Sequence, residues 1–426
     1  MNRRNFIQAA ALAGGAASGL LPAGRSAFAA VGAAVGAPST QKKLVVVFLR
    51  GAVDGLSVVV PYSESEYTRY RENIALARPG ETGGVLDLDG HFGLHPALAP
   101  LMPLWQGGKL AFVHASGSPD ATRSHFDAQD YMESGTPGRK ATADGWMNRL
   151  LTTLPGASSP TRGIAVGPVL PRIYAGAAPV ASIAQGQAAT RPTLSDQPRI
   201  ADAFARLYEG DDRTARVYRE SQAARREVMA SLDGASAANA EMDKVQLAAS
   251  NGAPLPNGFP DDAARLARLM RNDSKVQLGF VALGGWDTHA GQGAATGQLA
   301  NRLAPLGQGL AVLAERLGPM FDDTNVVVLS EFGRTARENG NRGTDHGHGN
   351  VMWVMGGEVN GGKVHGDWPS IAETSLNEGR DLAVTTDFRS VLIDVAERHL
   401  ALSDAQMDSL FPDAPLKSAP VRVVRS

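Results

Sequence analysis

Short, unbroken apolar runs alternate along the chain with longer segments of helical period. LVVVFLR, from Leu44 to Arg50, is a continuous β-branched run of the kind found in a strand buried on both faces. KLAFVHA, VQLGFVALGG, NVVVLS and VMWVMGG have the same character and predict further strands. Between them, DDAARLARLMRN and QLANRLAPLGQGLAVLAERLG repeat their apolar residues with helical spacing, and FRSVLIDVAERHL predicts a last amphipathic helix. PALAPLMPLW, Pro96 to Trp105, predicts a helix interrupted by Pro100 and Pro103 and closed by Gly107 and Gly108. Ile200 to Ala249 is highly charged and helical in period, with no strand signal, and reads as a helical insertion over the main sheet. Strands alternating with helices predict an α/β fold: a doubly wound, largely parallel sheet with helices on both faces. No repeat of solenoid period is present.

In an open parallel sheet, ligands sit off the carboxyl ends of the strands, so the residues just past each apolar run matter most. Asp54 follows the first strand, and KLAFVHA leads into SGSPDATRSHF with Thr122, Ser124 and His125. VQLGFVALGG leads into Asp287 and His289, and NVVVLS into Glu331 and Arg334. The Gly-rich stretch RGTDHGHGNVMW places Asp345, His346 and His348 ahead of the next strand. Each has a plainer local reading. Asp54 suits a turn, Asp287 a helix cap, and Glu331 a buried pair with Arg334 or Arg337. Ser124 and His125 suit a helix start, and the histidines of the Gly-rich run suit backbone hydrogen bonds. In a Gly-flanked loop Asp345 and His346 can both turn inward, and His346 is the better ligand candidate, with His348 as the alternative.

Taken together, carboxylates and imidazoles at so many strand ends predict a divalent metal site of Zn²⁺, Mn²⁺ or Mg²⁺, with Asp54, Asp287, His289, Glu331, Asp345, His346 and His348 as candidate ligands. A pair of such ions clamps the attacking and leaving oxygens in phosphoryl or sulfuryl transfer. Thr122 or Ser124 at a helix N-terminus would face an incoming anion, with His125 and Arg334 among the catalytic candidates. Arg50, Arg123 and Arg337 are further candidates for clamping an anionic ester, small or polymeric.

Composition narrows the chemistry. The 426 residues contain no cysteine, which excludes disulfides and thiolate ligands and leaves nitrogen and oxygen donors. A net charge of −2 gives no basic surface for nucleic acid. Residues 1–29 read as a twin-arginine signal peptide: Arg3 and Arg4, a mild AALAGGAASGLL core, and small residues for cleavage near Ala29. Residues 30–42 read as a linker, and 43–426 as one domain carrying the insertion at about 200–250. The expected location is periplasmic or secreted, with no membrane span in the mature chain.

The leader, LRGAVDGLSVVVPY, RSHFDAQDYMESG, GGWDTHAGQ, VVVLSEFGRTARENG, GTDHGHGN and TTDFRSVL together resemble the bacterial family called domain of unknown function 1501, from Lys42 to Leu400. That family is similar to the alkaline phosphatase and sulfatase superfamily, which implies an alkaline phosphatase-like fold with metal at the strand ends. In that likeness Asp54 matches the metal-binding Asp of the first strand. TRSHFDAQDYMESG resembles the helix that starts at the nucleophile and ends in a pair such as Ser134-Gly135. Asp287 and His289 resemble an Asp/His pair, although one residue separates them where three are usual. LSEFG stands where the superfamily has Asp-His-Gly. Glu331 can replace the Asp, Phe332 cannot ligate, and His346 or His348 would supply the missing imidazole. Members of the family are encoded beside another large exported family of unknown function, which implies an exported protein partner. Two functions follow: a metal-dependent phosphate or sulfate ester hydrolase, or a non-catalytic exported protein that reuses the fold for binding or assembly.

Overall fold

Residues 41–426 are described by a computed structural model, except 141, 168, 187–203, 211, 213, 220, 221, 223–243, 415–420 and 426. The expected twin-arginine leader and most of the expected linker therefore lie outside the described residues. So does most of the 200–250 insertion, of which 204–207, 214–219 and Lys244–Ala249 are helical.

LVVVFL becomes β1 (Lys43–Leu49), the middle of a nine-stranded sheet. The other strands of that sheet are β5 (Leu110–Gly117), β6 (Gly163–Val166), β7 (Ala181–Ile183), β8 (Leu278–Leu283), β9 (Thr324–Ser330), β10 (Asn350–Gly356), β11 (Lys363–His365) and β12 (Thr386–Asp387). Their order is β11-β5-β10-β9-β1-β8-β6-β7, with β12 continuing beside β5. A small antiparallel sheet, β2 (Val59–Val60), β4 (Gly93–Leu94) and β3 (Leu86–Asp87), flanks it.

The continuous apolar runs arise because both faces of the sheet are covered. Val45, Val47 and Leu49 point into one core with α3 (Phe259–Asn272) and α4 (Gln298–Leu317). Leu44, Val46 and Phe48 point into the other with α2 (Trp146–Thr153) and α5 (Phe388–Arg398). A fifth helix, α1 (His125–Ser134), follows β5. Side chains that alternate between two helical layers are what a doubly wound α/β sheet requires.

Two details differ from expectation. Pro100 and Pro103 do not break their segment: Pro96–Leu101 forms a 3₁₀ turn and Met102–Gln106 an α-helical one, with Pro103 in the first turn, where its missing N–H costs no bond. The short β6 and β7 carry too few residues for a period to be read.

The sheet is parallel except at β10, which pairs antiparallel with both β9 and β5. This reversal positions the site. Because β10 runs backwards, its first residue, Asn350, lies opposite Ser116 near the end of β5. The Gly-rich run that enters β10 is therefore delivered to the edge where β1, β5, β8 and β9 leave the sheet. Asn350 fastens that corner by donating to the carbonyls of Val53, at 3.1 Å, and Phe332, at 2.6 Å, in the loops after β1 and β9.

Candidate metal centre

At this edge three imidazoles surround one carboxylate. His125 Nε2 lies 3.5 Å from Asp287 Oδ2, while His289 Nε2 and His346 Nε2 lie 2.9 and 3.2 Å from Oδ1. One ligand atom each of His125, Asp287 and His346 fall within 4.8 Å of one another, as metal ligands do. Each ring is held from behind by its other nitrogen. His125 Nδ1 meets Glu331 Oε1 at 2.9 Å, His289 Nδ1 meets Asp345 Oδ1 at 3.0 Å, and His346 Nδ1 meets the Arg123 carbonyl at 2.8 Å. Carboxylate and carbonyl oxygens accept only, so in each ring the Nδ1 carries the proton and the Nε2 is turned toward Asp287. Metal-binding histidines are oriented in this way.

The local chain explains how the parts arrive. Ser124 caps α1, its Oγ accepting from Asp127 N at 3.4 Å, which sets His125 in the first turn facing the sheet edge. Glu331 ends β9 fully buried, and its Oε1 also accepts from Gly51 N at 2.8 Å and Gln129 Nε2 at 2.9 Å. Gln129 stands one helical turn after His125, so one face of α1 supplies both the ring and a donor that fixes the ring's partner. The glycines of GTDHGHGN allow backbone to lie on backbone. A Cβ at Gly343 would come within 2.4 Å of the His289 carbonyl, and one at Gly347 within 2.4 Å of the Arg334 carbonyl carbon. Phe332 cannot ligate, but its ring stacks on His125 with centroids 5.0 Å apart and lies 5.1 Å from His346. It forms an apolar wall to the cluster.

Electrostatics favour charge at this point. Burial opposes ionisation of Asp287, yet the neighbouring imidazoles of His125, His289 and His346, with Arg334 beside it, hold its carboxyl far below the usual range. Burial likewise favours a neutral His125, but Asp287 and Glu331 outweigh it and raise the ring to about 9. The hydrogen bond to Asp287 raises His289 as well. Burial opposes charge on Glu331 and Asp345 too. The imidazole of His125 lowers Glu331 in spite of it, and Asn339 with His289 lowers Asp345.

The donor set suits a cation. His125 Nε2 is buried with no hydrogen-bond partner, and the Nε2 atoms of His289 and His346 face each other at 3.0 Å. Two such nitrogens with protonated Nδ1 atoms make no hydrogen bond while both are neutral, repel while both are charged, and share one only when a single ring carries the extra proton. The imidazole nitrogens of His125 and His346 with one Asp287 carboxylate oxygen form a donor set that Zn²⁺ accepts, and His289 stands beside them.

The other sequence candidates lie elsewhere. Asp54 is not brought to the cluster; fully buried, its two oxygens accept from Arg71 at 2.6 and 3.0 Å, and Ser57 and Gln292 also donate to it. Burial pushes its carboxyl up, but Arg71 overrides this and lowers it. Glu331 and Asp345 hold rings rather than facing the centre. His348 turns away to the Ser118 carbonyl at 3.0 Å. Thr122 and Ser124 accept from backbone N–H groups, Thr122 from Ser124 N and Ser124 from Asp127 N. Among the described residues no hydroxyl hydrogen-bonds to the three rings or to Asp287. Arg334, fully buried, is no free anion clamp, because it donates to Asp287 Oδ1 at 2.7 Å and to Thr344. Arg123 is spent on Glu378 and Asp381, Arg337 on Glu373, and Arg50 binds Glu133 at 2.6 Å. Asp287 caps no helix, as the next begins at Gln298. The sequence reading missed Arg71, Gln292 and Asn339, which lie off the strand ends. It also missed Gln129, for which the helical spacing from His125 was the available signal.

Residues 105–411 match the family described as "Protein of unknown function (DUF1501)", and the chain belongs to it. No curated protein matches the sequence. Among solved structures, Ps i-CgsB in complex with k-i-k-neocarrahexaose is 10% identical, covering 86% of this chain and 74% of that one at a TM-score of 0.40. A protein in the alkaline phosphatase superfamily from Vibrio parahaemolyticus is 11% identical, with 76% and 64% covered and a TM-score of 0.34. The PsFucS1 sulfatase from Pseudoalteromonas sp. is 11% identical, with 91% and 74% covered and a TM-score of 0.33. Likeness at this level assigns no substrate or reaction to the chain.

Two outcomes follow from the geometry. Asp54→Ala leaves the Arg71 guanidinium buried and unpaired, so stability in urea should fall by about 3–5 kcal/mol; an unchanged midpoint would contradict the pairing. The raised His125 pKa stabilises the metal-free fold fully below its unfolded value of about 6.5, and this contribution is lost as pH rises through about 9. The lowered Glu331 and Asp54 contribute above the unfolded carboxyl range and lose their contribution in acid. Thermal unfolding in chelator should therefore show a decline from neutral toward alkaline pH, and a flat profile there would refute it.

Proposed function

We propose that this member of the DUF1501 family holds one divalent metal ion at His125, Asp287 and His346, with His289 at the mouth, and hydrolyses a phosphate or sulfate ester. The observation that carries the reading is the buried, unpartnered Nε2 of His125, aimed at Asp287 beside two further imidazoles. The nitrogen-rich donor set favours Zn²⁺ over Mn²⁺, and both over Mg²⁺, which prefers oxygen. Asp54, closed by Arg71, leaves no second ligand set for an ion pair among the described residues.

When bound there, such an ion lowers the pKa of a water toward neutrality and polarises an ester oxygen. The chain's own residues do the rest. Arg334 fixes the Asp287 carboxylate, and Glu331, Asp345 and the Arg123 carbonyl fix the three rings. Phe332 keeps water off one side of the cluster. The His289 side chain is 40% exposed against 9% for His125, so its Nε2 is the position from which a proton passes to solvent or a leaving group, with Asp345 stabilising the charged ring. With no hydroxyl bonded to the cluster, the reading assigns the attacking oxygen to water rather than to Thr122 or Ser124.

A second reading keeps the metal and drops the catalysis. It is favoured by the pairing of Arg123, Arg334 and Arg337 with carboxylates, so that each of these charges beside the cluster is already matched. The protein would then serve as an exported binding or assembly partner. In either case the chain would leave by the twin-arginine route and be cleaved near Ala29, for the periplasm or beyond; no helix of the described residues is long and apolar enough to cross a membrane.

Elemental analysis of the dialysed, zinc-exposed protein, followed by a panel of phosphate and sulfate esters, separates these readings. About one equivalent of metal, lost in Asp287→Ala, with ester turnover abolished by a chelator, is the expected result. Stoichiometric metal without turnover selects the non-catalytic reading, and metal-free protein overturns both. Replacing Arg3 and Arg4 by lysine should hold the precursor in the cytoplasm; continued export would refute the route.

A further inference from the structure

A cavity of about 270 Å³ opens off the ends of β1, β6 and β8, on the same edge as the metal cluster but across the sheet from β10. Val166, Phe280 and Ala282 contribute apolar wall, and Val169 and Leu170 stand at it 75% and 46% exposed. Into this lining come Arg50, Arg172 and Gln185. Each has a buried nitrogen with no acceptor: Arg50 Nε, Arg172 Nη1 and Gln185 Nε2.

The remaining guanidinium nitrogens are engaged. Arg50 donates to the Asn251 carbonyl at 3.1 Å and to Glu133 Oε1 at 2.6 Å; Arg172 donates to Asp130 at 2.9 Å and to the Thr142 carbonyl. These bonds fix both planes, so the unpaired N–H groups are held in place rather than free to swing to water. Glu133 does not meet them either, since its other oxygen accepts from Ile173 N at 2.9 Å. A buried donor left without an acceptor is destabilising, and native proteins keep few. Three residues that line one cavity each carry such a donor, two of them on guanidinium groups, and this calls for an acceptor from outside the chain.

We infer that this cavity binds an oxyanion (sulfate, phosphate or carboxylate) carried on a ligand with an apolar body, through Arg50 Nε, Arg172 Nη1 and Gln185 Nε2. Guanidinium groups favour oxyanions by charge and by planar donor geometry, and the apolar wall receives the rest of the ligand. The site is separate from the metal cluster. α1 carries His125 at the cluster and Glu133 against Arg50, a distance of roughly 12 Å at 1.5 Å per residue. The inference stands whether or not the cluster binds metal.

Calorimetric titration of the metal-free, full-length mature chain tests it, with inorganic sulfate, inorganic phosphate, acetate and butyl sulfate as probes. At least one oxyanion should bind at a single saturable site, with butyl sulfate tighter than inorganic sulfate because its chain covers the wall. Arg172→Gln and Gln185→Leu should each weaken binding about tenfold, the loss of one charge-assisted or neutral bond. Gln185→Leu removes an unpaired donor, so its unfolding midpoint should not fall, and this variant stays informative if Arg172→Gln proves unstable. No saturable binding of any probe, or equal affinity in Gln185→Leu, would overturn the assignment.

Discussion

The arrangement at the sheet edge depends on one buried carboxylate. Asp287 is 7% exposed and lies within 3.5 Å of Arg334 and of three imidazole nitrogens, so removing it would leave Arg334 without its carboxylate partner and the three rings facing one another. A buried charge is tolerated only when paired and hydrogen-bonded. Here the pairing extends outward, from Asp287 to the rings and from the rings to Glu331, Asp345 and a backbone carbonyl. Glu331 is in turn tied to the loop after β1 through Gly51 and to α1 through Gln129. Four separate strand ends are thereby locked to one point.

That convergence rests on the reversed strand. Had β10 run parallel, the Gly-rich segment before it would have entered from the far edge, and His346 would lie a strand length from Asp287. The antiparallel β10 lets a loop that precedes a strand share an edge with loops that follow strands. Glycines at 343 and 347 then let this loop settle against the backbones of His289 and Arg334 without a side chain between them. The Asp54–Arg71 pair holds the neighbouring corner. It is a fully buried ion pair that also bonds Ser57 and Gln292, and through Gln292 reaches Thr288 and Thr344.

Much of the frame was legible in the sequence because burial on both faces writes itself as continuous β-branched runs; β1, β8 and β9 fall within a residue or two of their apolar segments. The strand-end rule brought out His125, Asp287, His289 and His346, although His125 was read as catalytic rather than as a donor to the centre. What the sequence could not convey is which acid faces inward. Asp54, Glu331 and Asp287 each follow a strand, yet Arg71 takes the first and His125 the second, and neither partner can be inferred from local spacing. His346 and His348 stand two apart on one Gly-rich segment, where pleat alternation would put both on the same face, and only the fold turns His346 to Asp287 and His348 to the Ser118 carbonyl. The direction of β10 was also out of reach, because an apolar run reads the same in either sense. The donors of the second cavity come from segments far apart in sequence, and only the fold brings them together.

The central claim is that His125, Asp287 and His346, with His289 beside them, form one metal-binding centre. X-ray absorption at the zinc edge of the zinc-loaded protein addresses it directly. The account predicts a single shell of nitrogen and oxygen at about 2.0–2.1 Å, with the outer-shell scattering of at least two imidazole rings, reduced by one ring in His125→Ala. A zinc environment without imidazole scattering, or one identical in His125→Ala and the parent, would contradict it.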